Sequence, residues 1–306
     1  MLVRTSSRRR LLATVGTLTT LTLALLNPAH ALAATSGKAA PPLPTVGEFD
    51  SARARPLTGA ELAAVQKRQA QAAAYYATKM KHVRQLQAAG TDTTAATTAN
   101  LAEPYFQQIN EDFCGAATTV MISDYLGFGW SGHSSSYQQD QAGYWVKTDG
   151  AYKNSSGTII FPDSSGTAWY GVDNVPSYPY GSYYPIMDWL NYKNWQQTGG
   201  PWYQAVPLPD TPSSSDQSYF LNALVLDVDS DHPEADNQYS ISGYQLPYQP
   251  NGTWHHWWSA RGYENSGHTT GINDPAAFAN GVEHWVTTTG GAHTVVIALG
   301  GRGYIW

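Results

Sequence analysis

The 306-residue sequence predicts an α/β (α+β) domain, and three observations carry that prediction. From Cys114 to Leu126, small and apolar residues recur at a spacing of 3–4, the period of a helix face. From Trp254 to Pro275, two apolar runs flank a turn-rich segment, the pattern of an antiparallel hairpin. Beyond Asn100, charge thins while Gly, Ser, Tyr and Trp become frequent over about 200 residues, enough for one domain with a sizeable core.

The chain begins with Arg4, Arg8, Arg9 and Arg10, followed by an uncharged, mostly apolar stretch from Leu11 to Leu26 and a small-x-small site at Ala31-Leu32-Ala33. Residues 1–33 therefore read as an export signal, too short for a comfortable membrane span. The string SRRRLL from Ser7 also matches a twin-arginine motif, which three arginines satisfy easily. Removing the signal takes four of 17 basic residues and none of the 23 acidic ones, leaving a formal charge of −10. That balance argues against a nucleic-acid partner held by phosphate contacts. No later segment approaches 18 apolar residues, so a secreted protein with no membrane contact after signal removal is expected.

Residues 34–57, rich in Pro and Ala, read as a linker. Residues 58–99 read as a helical arm or propeptide-like segment. Thr58 and Glu61 have capping-box spacing, and Leu62, Val65, Tyr76, Met80, Val83 and Leu86 form a thin apolar stripe. The alternative is an N-terminal helix packed on the main domain, but the thin stripe favours a peripheral element. Residues 100–306 read as the main domain.

Cys114 is the only cysteine, so no internal disulfide can form. A free cysteine is ordinarily a small buried hydrophobe, but a lone thiol outside the cell is an oxidation liability, which favours chemistry over packing. The pattern puts Cys114 at the start of a helix carrying Ala117, Met121, Ile122 and Tyr125 on one face, with Gly127 as the stop. Orphan N–H groups there favour the thiolate.

Between Trp130 and Pro212, helical patterning is limited to a short piece around Pro185 to Trp195. Tyr178, Tyr180, Tyr183, Tyr184, Trp189, Tyr192, Trp195, Trp202 and Tyr203 crowd this region, as packing of a loop-rich lobe or as an aromatic cleft. Leu221 to Asp229 reads as a helix end or strand. Asp227, Asp229 and Asp231 fail the calcium-loop pattern, because His232 and Gln238 stand where Gly and Glu belong, and read instead as a solvated acidic turn.

A cysteine hydrolase needs an imidazole, a group to orient it, and donors for an oxyanion. His255 and His256 open the first strand of the hairpin, Gly262 to Gly267 reads as its turn, and Asp274-Pro275 ends the returning strand. Antiparallel pairing brings those two ends to one edge, so an Asp–His hydrogen bond is geometrically reasonable. His255 would replace His256 if the register slipped by one, and His293 also precedes an apolar run. Gln107 rivals Gln108, and Asn273 rivals Asp274.

Gln108 lies six residues before an Phe-Cys-Gly cysteine, and His256 six before Gly262-Tyr263, in a segment leading to Asp274-Pro275. This combination resembles the C-39-like, bacteriocin-processing-type branch of papain-fold cysteine peptidases, including its secreted bacterial members. The resemblance covers Tyr105 to Leu126 and about Tyr219 to Pro275, and the closing Gly301 to Trp306 looks like the end of secreted actinobacterial members. Residues 34–99 fall outside it. It implies a papain-like fold, with the catalytic helix packed on an antiparallel sheet. It also implies Cys114 as nucleophile, His256 as base, Asp274 as orienting acid and Gln108 in the oxyanion hole. Ala116 stands where the family commonly has proline, and Trp257 and Trp258 where small aliphatics follow the histidine. The tryptophans suggest an aromatic wall beside the base.

The expected function is that of a secreted cysteine peptidase acting on a peptide or protein substrate, without cofactor or metal. Two alternatives stay open: an acyltransferase or amidase on the same core, and a non-catalytic secreted binding protein with an aromatic cleft.

Overall fold

The computed structural model describes residues 57–176, 181, 184–240, 244–252 and 254–306. The export signal, nearly all of the linker, and Tyr178, Tyr180 and Tyr183 lie outside the described residues. The fold is mixed helix and antiparallel sheet. It starts with α1 (Gly59–Ala88), α2 (Thr94–Thr97) and β1 (Ala99–Asn100), followed by α3 (Cys114–Tyr125) and α4 (Ser135–Trp145). Strands β2 (Tyr152–Lys153) and β3 (Ile159–Ile160) pair with each other. Then come α5 (Pro185–Thr198), β4 (Ala205–Pro207), α6 (Ser214–Asp229), β5 (Glu234–Ser240) and β6 (Trp254–Glu264). The chain ends with β7 (Thr269–Asn273), β8 (His284–Thr287), α7 (Val295–Ala298) and β9 (Gly303–Ile305).

Among the described residues the main sheet runs β4-β9-β5-β6-β7-β8, with β1 also paired to β6, and every pairing is antiparallel. Successive side chains of β6 point to opposite faces. Trp257 enters the core built by α3 and α5, with Ile122, Ile186 and Leu190. Trp258 and Ala260 enter the core built by α6 and α7, with Phe220, Leu224 and Val296. The two tryptophans after His256 thus serve two different cores.

Helix α3 forms where the pattern predicts it, but its burial is broader than one face: every residue from Cys114 to Ser123 is buried. Gly127 follows at φ 77°, in the left-handed region that ends helices cheaply only for glycine. Helix α4 carries no clean apolar stripe in Ser135–Trp145 and was not legible as a helix. The Ser134 hydroxyl accepts from the Tyr137 N–H at its start, and Gln138, Gln139, Ala142 and Gly143 are its buried face.

Helix α1 begins as expected, with the Thr58 N–H donating to Glu61 Oε2 at 2.8 Å. It is not a peripheral arm. It packs on α6 through buried Val65 and Ala72, while Leu62, an expected apolar point, is exposed. Polar side chains complete the seat. Arg68 Nη2 lies 3.1 Å from Asp227 Oδ1, and Lys79 Nζ and the Tyr75 hydroxyl donate to Asp229 Oδ2 at 2.7 and 2.8 Å. These contacts also correct the reading of the Asp227–Asp231 stretch as a solvated turn: Asp227 is fully buried at the end of a 16-residue helix. That helix starts at a capping box, with the Ser213 N–H on Asp216 Oδ2 at 2.8 Å.

The hairpin differs from expectation at its turn. Strand β6 continues through Gly262 and Tyr263, which pair with β1 on one side and β7 on the other. The turn is Asn265–Gly267, with all three residues at positive φ. Gly262 is needed for close approach instead: a Cβ there would meet Asn100 Oδ1 at 2.8 Å and the Ala99 carbonyl at 3.0 Å. In the aromatic lobe, Trp169, Tyr184, Trp189 and Tyr203 are buried, so packing accounts for these rings.

Candidate functional site

The structure brings Cys114, His256 and Asp274 together. Cys114 is the first residue of α3, His256 the third of β6, and Asp274 follows the last residue of β7. Ser259 pairs with Asn273 across the hairpin, so the strand ends carrying His256 and Asp274 share one edge. His256 Nε2 lies 2.6 Å from Asp274 Oδ1. The Cys114 side chain hydrogen-bonds the same imidazole.

All three groups are enclosed: Cys114 is 7% exposed, His256 3% and Asp274 0%. Burial alone would push the His256 pKa down, but the Asp274 carboxylate and then Cys114 overturn it and raise it to about 10. Burial likewise opposes ionisation of Asp274, yet His256, the Ala276 N–H and Tyr248 hold its carboxyl below the usual range. The result is an imidazolium–carboxylate pair in contact with the cysteine.

Asp274 divides its oxygens. Oδ1 takes His256 and the Ala276 N–H, the latter at 2.9 Å. Oδ2 takes the Tyr248 hydroxyl at 2.9 Å and Gln249 Nε2 at 3.3 Å. Gln249 is itself locked by a reciprocal amide pair with Gln238, at 2.7 and 2.9 Å. The Trp258 indole N–H donates to Gln238 Oε1 at 3.2 Å. Tyr248, Gln249 and Gln238 were missed in the sequence because isolated polar residues at irregular spacing carry no periodic signal. Their adjacency arises only when the loop after β5 folds back over β6.

Gln108 sits in the loop entering α3, and its backbone is tied to the site: its N–H donates to the Pro275 carbonyl at 2.9 Å. Buried Gln139 of α4 clamps the flanking residues, donating to the Gln107 carbonyl at 2.7 Å and accepting from the Ile109 N–H at 3.0 Å. The Gln108 side-chain Nε2 donates to the carbonyls of Asn110 and Glu111 at 2.8 and 3.0 Å. Both amide hydrogens therefore point into the loop that leads to Cys114.

The rivals are engaged elsewhere. His255 contacts Arg302 and stacks on Tyr239, with ring centres 4.8 Å apart. His293 Nδ1 is 2.9 Å from the Gln245 carbonyl. Asn273 donates to Glu103 Oε2 at 2.9 Å, and the Gln107 side chain is exposed.

Of the two tryptophans expected to form an aromatic wall, only Trp257 lies in the cluster with Cys114, and Trp258 belongs to the other core. Trp257 stacks on Trp169 at 5.6 Å and donates from Nε1 to the Thr167 carbonyl at 2.9 Å. Thr167 in turn closes over the residue after the cysteine: a Cβ on Gly115 would meet Thr167 Cβ and Oγ1 at 2.4 Å each. Gly115 thus lets this wall approach the start of α3.

Among the described residues no group of three or more His, Cys, Asp or Glu side chains is arranged to hold a metal ion. No described helix is long and apolar enough to cross a membrane. No protein-family model matches this chain, and no curated protein matches it either.

Proposed function

We propose that this chain is an exported cysteine peptidase of papain-like type, hydrolysing a peptide or amide bond through Cys114, His256 and Asp274. The observation that carries the reading is the contiguous set of hydrogen bonds from Cys114 to His256 and from His256 Nε2 to Asp274 Oδ1 at 2.6 Å. A buried imidazole held protonated to about pH 10 is the partner that stabilises a thiolate.

In the proposed reaction the Cys114 thiolate attacks the substrate carbonyl and forms a tetrahedral oxyanion. As first residue of α3, Cys114 supplies a backbone N–H without an intrahelical acceptor, a donor available to such an oxyanion. Gln108 supplies a second donor by exchanging one of its loop carbonyls for the oxyanion. His256 passes a ring proton to the departing amine as the C–N bond breaks, leaving a thioester. Water, deprotonated by His256, then attacks the thioester carbonyl, releasing the acid and returning the thiolate–imidazolium pair. Asp274 holds the ring in register and neutralises its charge throughout.

The test is alkylation of the mature protein by iodoacetamide, wild type beside His256→Ala, over about pH 5 to 9, the range that brackets thiolate titration. Fast labelling at the acid end that collapses in the variant supports the pair, and peptide-library hydrolysis with and without added amine nucleophiles then separates a peptidase from an acyltransferase. Equal, slow labelling in both proteins overturns the reading and leaves a buried structural cysteine in a binding protein.

A further inference from the structure

Asp274 presents a problem that the three-residue site does not solve. A fully buried carboxylate must be kept ionised, and it must not rotate away from His256, since either failure removes the counter-charge of the imidazolium. Oδ1 alone cannot prevent rotation about the Cβ–Cγ bond. The opposite oxygen is where the rotation is stopped: Oδ2 is held by the Tyr248 hydroxyl at 2.9 Å and Gln249 Nε2 at 3.3 Å.

We infer that Tyr248 is a positioning residue for this site, pinning Asp274 Oδ2 so that Oδ1 faces His256, with the Gln238–Gln249 amide pair as its support. Tyr248 is suited to that role. Its ring stacks face to face on His284, centres 3.7 Å apart and planes 7° from parallel, so the hydroxyl is aimed by a rigid partner on β8. Burial and the neighbouring Asp274 keep the phenol far from ionising, so it remains a donor. Gln249 cannot swing to another partner, because its Oε1 accepts from both Gln238 Nε2 and the Leu246 N–H, and its Nε2 from the same amide is shared between Gln238 and Asp274. The titratable groups facing Asp274 are His256 from β6, with Cys114 of α3 behind it, Tyr248 from the loop, and Tyr105 from the segment before α3. Among these only His256 supplies positive charge, and loss of the Tyr248 donor leaves Oδ2 with the longer Gln249 bond.

The inference rests on the Cys114–His256–Asp274 reading for its relevance to catalysis, but its test does not need activity. Carboxyl carbon NMR of the mature protein would follow the titration of Asp274 in wild type, Tyr248→Phe and Gln249→Met. Tyr248→Phe keeps the stack on His284 and removes one hydrogen bond to a charged group. The expected result is an upward move of the Asp274 midpoint by about one pH unit, with a smaller rise in Gln249→Met, whose bond is longer. The acid side of the Cys114 alkylation profile should move the same way. A purely structural role would lower the melting temperature and leave the midpoint in place. An Asp274 midpoint identical in wild type and both variants overturns the inference. A shifted midpoint with no peptide hydrolysis would instead uphold it and count against the peptidase reading.

Discussion

Two sets of buried carboxylates in this protein behave in opposite ways. Asp274 lies at the sheet edge beside Cys114; Glu234 and Asp236 lie two residues apart on β5, near Asp227 and Arg68. All three side chains are completely buried. Asp274 receives four donors, one of them the His256 imidazolium, and its carboxyl is held below the usual range. The four carboxyl oxygens of Glu234 and Asp236 have no hydrogen-bond partner among the described residues. Burial pushes both carboxyls well above the usual range, Glu234 further through repulsion from Asp236 and Asp227. Burial is common to both sets. What separates them is the number of donors aimed at the oxygens, and that lowers one carboxyl's pKa and leaves the others raised.

The contrast can be broken most strongly at Asp274. Asp274→Asn preserves shape and removes the charge that stabilises the imidazolium. Alkylation of Cys114 at neutral pH should fall by on the order of 10²-fold, the scale of losing a positioned acid–base partner. Second, Gly115→Ala forces a methyl group into Thr167, an overpacking expected to cost about 1–3 kcal/mol and measurable as a lower midpoint in urea. Labelling should slow as well, because the wall displaced is the one next to the cysteine.

The smallest effect should come from Glu234→Gln or Asp236→Asn. At a pH acid enough to protonate the carboxyl, each replaces a neutral acid by a neutral amide, so unfolding should change by about 1 kcal/mol or less. The sign at alkaline pH is distinctive. A carboxyl whose pKa is raised by folding binds its proton more tightly in the native state, so its contribution is lost as pH rises. The variants cannot ionise and should resist alkaline unfolding better than wild type. A variant that is less stable than wild type at high pH would mean that these carboxylates are ionised and paired after all.

The His256–Asp274 pair gives a complementary pH signature. The His256 pKa is raised from 6.5 to about 10, so its stabilising contribution is complete below pH 6.5 and fades as pH rises through about 10. Asp274 is depressed from 3.8, so its contribution is complete above pH 3.8 and fades as pH falls through its lowered pKa. Urea midpoints of wild type and His256→Ala should therefore differ most between those limits and converge toward pH 10 and above.

The sequence by itself determined the elements whose signal is local. Periodicity placed α3, with Cys114 as its first residue; capping-box spacing placed the start of α1; alternation and the Asp-Pro terminator placed the two strands whose ends carry His256 and Asp274. The choice of His256 over His255 and of Asp274 over Asn273 followed from the family resemblance, with His255 and Asn273 left open as rivals. Tertiary structure decided what has no local signal. Arg68, Tyr75 and Lys79 seat α1 by reaching carboxylates more than 140 residues away, so a thin apolar stripe did not make a peripheral helix. Gly262 looked like a turn and is a point where two backbones touch. Tyr248 and Gln249 reach Asp274 from a loop about 25 residues earlier, and Thr167 meets Gly115 across the aromatic wall. Periodicity reports which side of an element is buried; it holds no record of which polar side chain waits on the other side, because that meeting is made by chain crossings rather than by neighbours in sequence.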